Sequence, residues 1–231
     1  MGDGYTQAEI PLFHTHVTNF VNAWRGEVPV NRYQHFINIW RIDVESAQSG
    51  ADKPGACFNP EVLVDTALDA RYCTGGTQRC LTANNSKVFA TAGINVPEYD
   101  EVIVAVNDAT YGGCANSVSC YSAANNSALQ VAIHELGHSI FGLADEYENA
   151  GATYTGGELS QVNVSIHDAT AMASLQTKWH YWLGIEGVSA FEGARYHEFG
   201  IYRPRSSCKM RSNGTGFSPI CREAHDATLL G

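Results

Sequence analysis

The residues of this chain best placed to do chemistry are two histidines and a glutamate in the run His134-Glu135-Leu136-Gly137-His138. Residues four apart on a helix rise about 6 Å and share one face, so both imidazoles can converge on one ion. Zinc suits such a pair, at about 2.0–2.1 Å from each ring nitrogen. Glu135 is rotated by about 100° from His134 and borders the site without having to be a ligand. It is the expected general base. Zinc lowers the pKa of a coordinated water from 15.7 towards about 7, and an adjacent carboxylate can take the proton as that water attacks a carbonyl, then return it to the leaving amine.

Two imidazoles leave a tetrahedral ion short of protein ligands, so the chain must turn back to supply a third. Gly142 ends the apolar run, and glycine tolerates the left-handed conformation that terminates helices and permits a sharp turn. Asp145 is the first side chain beyond it with a hard anionic oxygen, and Glu146 is the adjacent alternative. His134, His138 and Asp145 would leave one coordination position open, as a catalytic zinc site requires.

The elements that must position these groups are legible around them. Residues 127–133 are mostly apolar, which suits a buried helix that opens one edge, and Ser127 is its expected N-cap. Thr6-Gln7-Ala8-Glu9 is a capping box opening a helix through about Trp24, with Pro11 near its first turns. Phe36 to Val44 alternates and reads as a strand; Glu101 to Val106 is β-branched and reads as a buried strand. Asn59 to Tyr72 reads as a helix with Leu63, Ala67 and Ala70 on one face. Tyr111 to Tyr121 reads as an edge hairpin, to which an extended peptide can add by backbone pairing. The cluster Trp179-His180-Tyr181-Trp182 reads mainly as core, with some rings available to line substrate pockets. His14 and His16, two apart, lack the helical spacing for sharing an ion, and His167, His180, His197 and His225 show no ligand spacing either.

The motif His-Glu-x-x-His followed by a glycine and a third ligand resembles the metzincin metallopeptidases. Here Gly142 lies four residues after the second histidine instead of three, while the Gly142-to-Asp145 separation keeps the usual value. That variant, with the tail Gly-Leu-Ala-Asp-Glu-Tyr, is similar to the IgA-peptidase family, the igalysins. The resemblance extends to Gly2-Asp3-Gly4-Tyr5-Thr6, to the segment Phe36 to Ser46, to Val106-Asn107-Asp108 with Tyr111-Gly112-Gly113, and to Cys208-Lys209-Met210-Arg211-Ser212 with Phe217 to Glu223. It implies an α/β (α+β) fold with a twisted mixed sheet and an active-site helix above a cleft, and a smaller irregular C-terminal lobe. It also implies that Met210 packs beneath the histidines without touching the metal, a place suited to a flexible, polarizable thioether. Met172 is the runner-up for that role. Arg211 is a weaker candidate for contacting substrate or stabilising an oxyanion. The igalysin pattern has an apolar strand before Gly-Asp-Gly-Tyr-Thr, so the N-terminal strand and leader are expected to be missing.

With 231 residues, 44% of them hydrophobic, the chain suits one catalytic domain, an upper lobe of about 1–142 and a lower lobe of about 143–231. Its formal charge of -10 argues against nucleic acid or anionic membrane as a partner. No apolar stretch approaches the roughly 20 residues that span a bilayer, and no signal-peptide pattern opens the chain. Seven cysteines suggest disulfides, pairing by proximity as Cys73/Cys80, Cys114/Cys120 and Cys208/Cys221 with Cys57 left over, and hence a secreted, periplasmic or cell-surface protein. No Cys-x-x-Cys spacing indicates a thiolate metal site. The Asn-x-Ser/Thr sequons at Asn84, Asn125, Asn163 and Asn213 matter only in a glycosylating host.

The expectation is therefore a monomeric zinc endopeptidase with one catalytic ion, acting on protein or peptide. Nothing in the sequence indicates calcium or singles out immunoglobulin A. A binding or adhesion module with a structural zinc, and a zinc amidase acting on cell-wall peptides, are the alternatives. Glu135 argues against the first, since a structural ion needs no base.

Overall fold

The protein is described from a computed structural model covering residues 1–231, a mixed α+β fold. Two compact units are distinguished: residues 1–26 with 34–140, and residues 27–33 with 141–231. No helix is long and apolar enough to cross a membrane.

The first unit is built on a four-stranded sheet in the order β1-β2-β4-β3, comprising β1 (Gly2–Asp3), β2 (Ile103–Val106), β3 (Gly113–Ala115) and β4 (Ser119–Ser122). The parallel neighbours of β2 are β1 and β4, which explains its run Ile-Val-Ala-Val: a strand paired on both edges and covered on its faces needs no polar alternation. Strand β3 runs antiparallel to β4 and forms the sheet edge, as the hairpin reading expects, with Cys114 opposite Cys120. Helix α1 (Ile10–Gly26) follows a turn at Gln7–Glu9, and the capping box is present: the Thr6 backbone N–H and hydroxyl both donate to Glu9 Oε2, at 2.9 and 2.8 Å. A second layer of the unit is α3 (Asn85–Asn95), capped by the Asn84 side chain.

Two element readings fail here. Residues 59–72 form no helix. Their backbone donors are drawn to distant acceptors, above all the wholly buried Asp3, whose carboxylate takes the N–H groups of Leu68 and Ala70 and the Thr66 hydroxyl. A buried carboxylate must be hydrogen-bonded, and satisfying it fixes the segment in an irregular path. Residues 36–44 form no strand. They alternate in sequence but gain no ladder, and Phe36 and Trp40 are exposed, at 79% and 69%.

In the second unit, β5 (Phe191–Ala194) and β6 (His197–Arg203) make an antiparallel hairpin, flanked in sequence by α5 (Ala169–Leu175) and α6 (Pro219–Leu230). Short helix α2 (Val30–Tyr33) belongs to this unit; in the same stretch Glu27 is ion-paired at 2.9 Å with Lys209, a lysine only 2% exposed. Trp179 is core, packed with Met172, Val188 and Ile220, and its indole donates to the Ser189 carbonyl, whereas Tyr181 is exposed.

The disulfide pairing expected from proximity is overturned. The bonds are Cys57–Cys73 and Cys80–Cys114, while Cys120, Cys208 and Cys221 are free and buried. Cys114 and Cys120 do face each other across β3 and β4, yet Cys114 reaches out of the sheet to Cys80. Cys208 and Cys221 are neighbours with sulfurs 3.5 Å apart, well beyond the roughly 2.05 Å of a bond. Burial pushes the Cys120 thiol up to about 12, so it is inert in the fold. Denatured without reductant, the protein is expected to titrate three thiols per chain with an aromatic disulfide reagent; a value of one would place a bond between Cys208 and Cys221.

Candidate metal centre

Helix α4 (Ala128–Ser139) carries the chemical residues. Its buried side, Ala128, Val131, Ala132, Leu136 and Gly137, explains the apolar sequence ahead of the motif: in the first unit this helix packs on β3, β4 and α1. Ser127 stands at the N-cap position but its hydroxyl makes no capping bond; instead the Asn125 side-chain oxygen accepts the Ser127 N–H at 2.8 Å.

The helix leaves His134 and His138 half-buried on one face. Their Nε2 atoms are 3.1 Å apart, with the rings edge to face at 84°. Two nitrogens each about 2.0–2.1 Å from a tetrahedral zinc would be about 3.3 Å apart, so the pair has the separation a shared ion demands. With Nε2 of each ring used as a ligand, the remaining proton resides on Nδ1.

Beyond the helix, Ile140 and Phe141 turn and Gly142 adopts φ +61°, the left-handed conformation expected of it, although the regular helix already ends at Ser139. His134, His138 and Asp145 make up a His/Asp group of the kind that could hold a metal. Glu146, the alternative third ligand, belongs to a different group, with Cys208 and Cys221. Its carboxyl is wholly buried, takes a hydrogen bond from Asn163 at 3.0 Å, and is pushed well above the usual carboxylate range by burial and then by Cys208. Cysteine spacing gave no hint of this trio, whose members come together only through folding.

Three residues that shape the site were invisible in the sequence. Asn163 is wholly buried and clamps the Ala144 backbone twice, accepting its N–H and donating to its carbonyl, each at 2.8 Å. It is a sequon asparagine by pattern only. Tyr196 donates its phenolic O–H to Asp145 Oδ2. Burial, with the Asp145 carboxylate beside it, raises the phenol above its ordinary range, so it stays a donor. Gly113 is the third: a Cβ there would lie 2.8 Å from Glu135 Oε1 and 2.4 Å from Val131 Cγ1. The edge strand thus passes against the Glu135 carboxyl, and only a glycine fits.

Met210 is wholly buried, and its carbonyl accepts the Glu146 N–H at 2.8 Å. Met172 lies in the Trp179 cluster. Arg211 grips Glu148 through both terminal guanidinium nitrogens, and its Nη1 also donates to the Glu146 carbonyl at 3.0 Å. Its charge is therefore engaged in holding the segment that follows Asp145.

The sequence model of the IgA peptidase M64 family matches residues 1–187 and 185–229. The chain belongs to this family. No curated protein matches it. M64 peptidases are metallopeptidases, so polypeptide is the substrate class and a His/Asp group able to hold a metal is in keeping with the family. In this M64 peptidase the contact between Gly113 and Glu135 has a direct consequence. Gly113→Ala is expected to displace the Glu135 carboxyl, destabilise the fold by about 1–3 kcal/mol through overpacking, and lower peptide turnover. Thermal denaturation and kcat measured side by side check this; wild-type values of both would contradict it.

Proposed function

We propose that this chain is an exported zinc-dependent endopeptidase. The observation that carries the reading is the approach of the two imidazole Nε2 atoms to 3.1 Å on one helix face, with Asp145 in the same donor group. Two neutral nitrogens, one carboxylate and a base beside them form the donor set of a catalytic rather than a structural zinc site. The ion would supply Lewis-acid activation of water and of the scissile carbonyl.

The residues of the chain do the rest. His134, His138 and Asp145 would hold the ion; Glu135, on the next helical position and only 6% exposed, would take a proton from the attacking water and deliver it to the departing amine. Its placement against Gly113 keeps that carboxyl beside the edge of the sheet. Pairing of an extended substrate with this edge would start at Ala115, because the Gly113 N–H is engaged by the Arg79 carbonyl at 3.1 Å. Such pairing selects an extended backbone more than particular side chains. The family match spans both compact units, which supports a single catalytic domain over 1–231. Two disulfides support an oxidising compartment.

Glu135→Gln is expected to retain zinc and lower turnover of a proteome-derived peptide library by about 10²–10⁴-fold, the ordinary contribution of a general base. Appreciable cleavage by the folded variant would remove Glu135 from that role. A metal chelator is expected to abolish cleavage by the wild type and added zinc to restore it; chelator-resistant cleavage would contradict the zinc reading.

A further inference from the structure

The hairpin β5–β6 ends in a turn that its sequence does not favour. Ala194 pairs with His197, so the loop consists of Arg195 and Tyr196 alone, and both have positive φ, +48° and +67°. Two-residue hairpin loops with both residues left-handed are ordinarily built from asparagine, aspartate and glycine, because larger L side chains are strained there. Bulky residues persist in such a conformation only when their surroundings enforce it, and such strain clusters at functional sites.

The surroundings that enforce it are the residues about Asp145. The Arg195 N–H donates to the Asp145 carbonyl at 3.0 Å, and the Tyr196 N–H to the Tyr147 carbonyl at 2.9 Å. The Tyr196 ring meets Tyr147 edge to face with centroids 5.0 Å apart, and its phenol donates to Asp145 Oδ2. Backbone and side chain of one strained turn therefore grip the same short segment. An asparagine-glycine loop would relax the backbone but would have no side chain able to make the phenol contact.

We propose that Tyr196 is a positioning residue for the metal: the left-handed turn delivers its phenol to one oxygen of Asp145, fixing the carboxylate so that it serves as a one-oxygen ligand. The proposal rests on the reading of Asp145 as a ligand. A carboxylate that binds a metal is normally oriented by a hydrogen-bond donor behind it, and removing such a donor typically weakens metal binding about 10–100-fold.

The test compares the wild type, Tyr196→Phe and Asp145→Asn. For each, the zinc dissociation constant is measured by competition with a chromogenic chelator, and the visible spectrum of the cobalt-substituted protein is recorded. Tyr196→Phe is expected to weaken zinc binding about 10–100-fold and to alter the cobalt spectrum while the far-ultraviolet circular dichroism is unchanged. Asp145→Asn is expected to weaken binding further. Wild-type affinity and spectrum in Tyr196→Phe, with binding impaired in Asp145→Asn, would overturn the role of Tyr196 alone. Unimpaired binding in Asp145→Asn would instead overturn the ligand assignment beneath it. Should Tyr196→Phe not fold, zinc titration of the wild type and of Tyr147→Phe supplies a second reading. A zinc-induced change in tyrosine near-ultraviolet absorption that survives in Tyr147→Phe is expected, and no change in either protein would overturn the proposal.

Discussion

Two imidazole nitrogens held 3.1 Å apart cannot both carry a proton towards each other; they must share one proton or one cation. That constraint organises the site. The helix supplies it by spacing, since positions i and i+4 stack on one face, and the packing of α4 on the sheet and on α1 prevents the helix from turning that face elsewhere. Glu135 owes its position to the same packing, because the next helical position points towards the edge strand, where a glycine has left room for a carboxyl. A single rigid helix thus fixes both imidazoles and the Glu135 carboxyl together, the preorganisation that the proposed catalysis needs.

The proposed third donor, Asp145, lies in irregular chain, and irregular chain has to be held by something other than its own hydrogen-bond ladder. Here the holding groups, side chains and backbone alike, come from distant positions. Asn163 completes both backbone groups of Ala144, Met210 and Arg211 take up backbone groups of Glu146, and the tip of the β5–β6 hairpin takes the Asp145 carbonyl. Each bond is modest by itself, about 1 kcal/mol, but together they leave the segment little freedom. The excursion after the helix is accommodated by the turn at Ile140 and Phe141 and by left-handed Gly142.

What the sequence revealed and what it hid divide along a physical line. Helix α4, the capping box of α1, the buried strand β2 and the hairpin β3–β4 were legible because each depends on local periodicity or on residues three or four apart. The same local logic misread residues 59–72, where apolar spacing imitates a helix but the backbone donors of Leu68 and Ala70 serve Asp3, 65 and 67 residues away. It misread residues 36–44 because alternation specifies a strand only when a partner is present. It paired cysteines by proximity, whereas Cys80 and Cys114 are 34 residues apart in the chain. Asn163, Tyr196 and Gly113 carry no local signature at all.

The most direct test of the central claim, that α4 and the segment after it form one metal centre, is a crystal structure of the zinc-loaded protein with anomalous scattering recorded across the zinc edge. The account predicts a single strong peak within about 2.1 Å of Nε2 of His134 and of His138 and of one carboxylate oxygen of Asp145. A peak at Glu146, Cys208 and Cys221, or no peak beside the two histidines, would contradict it.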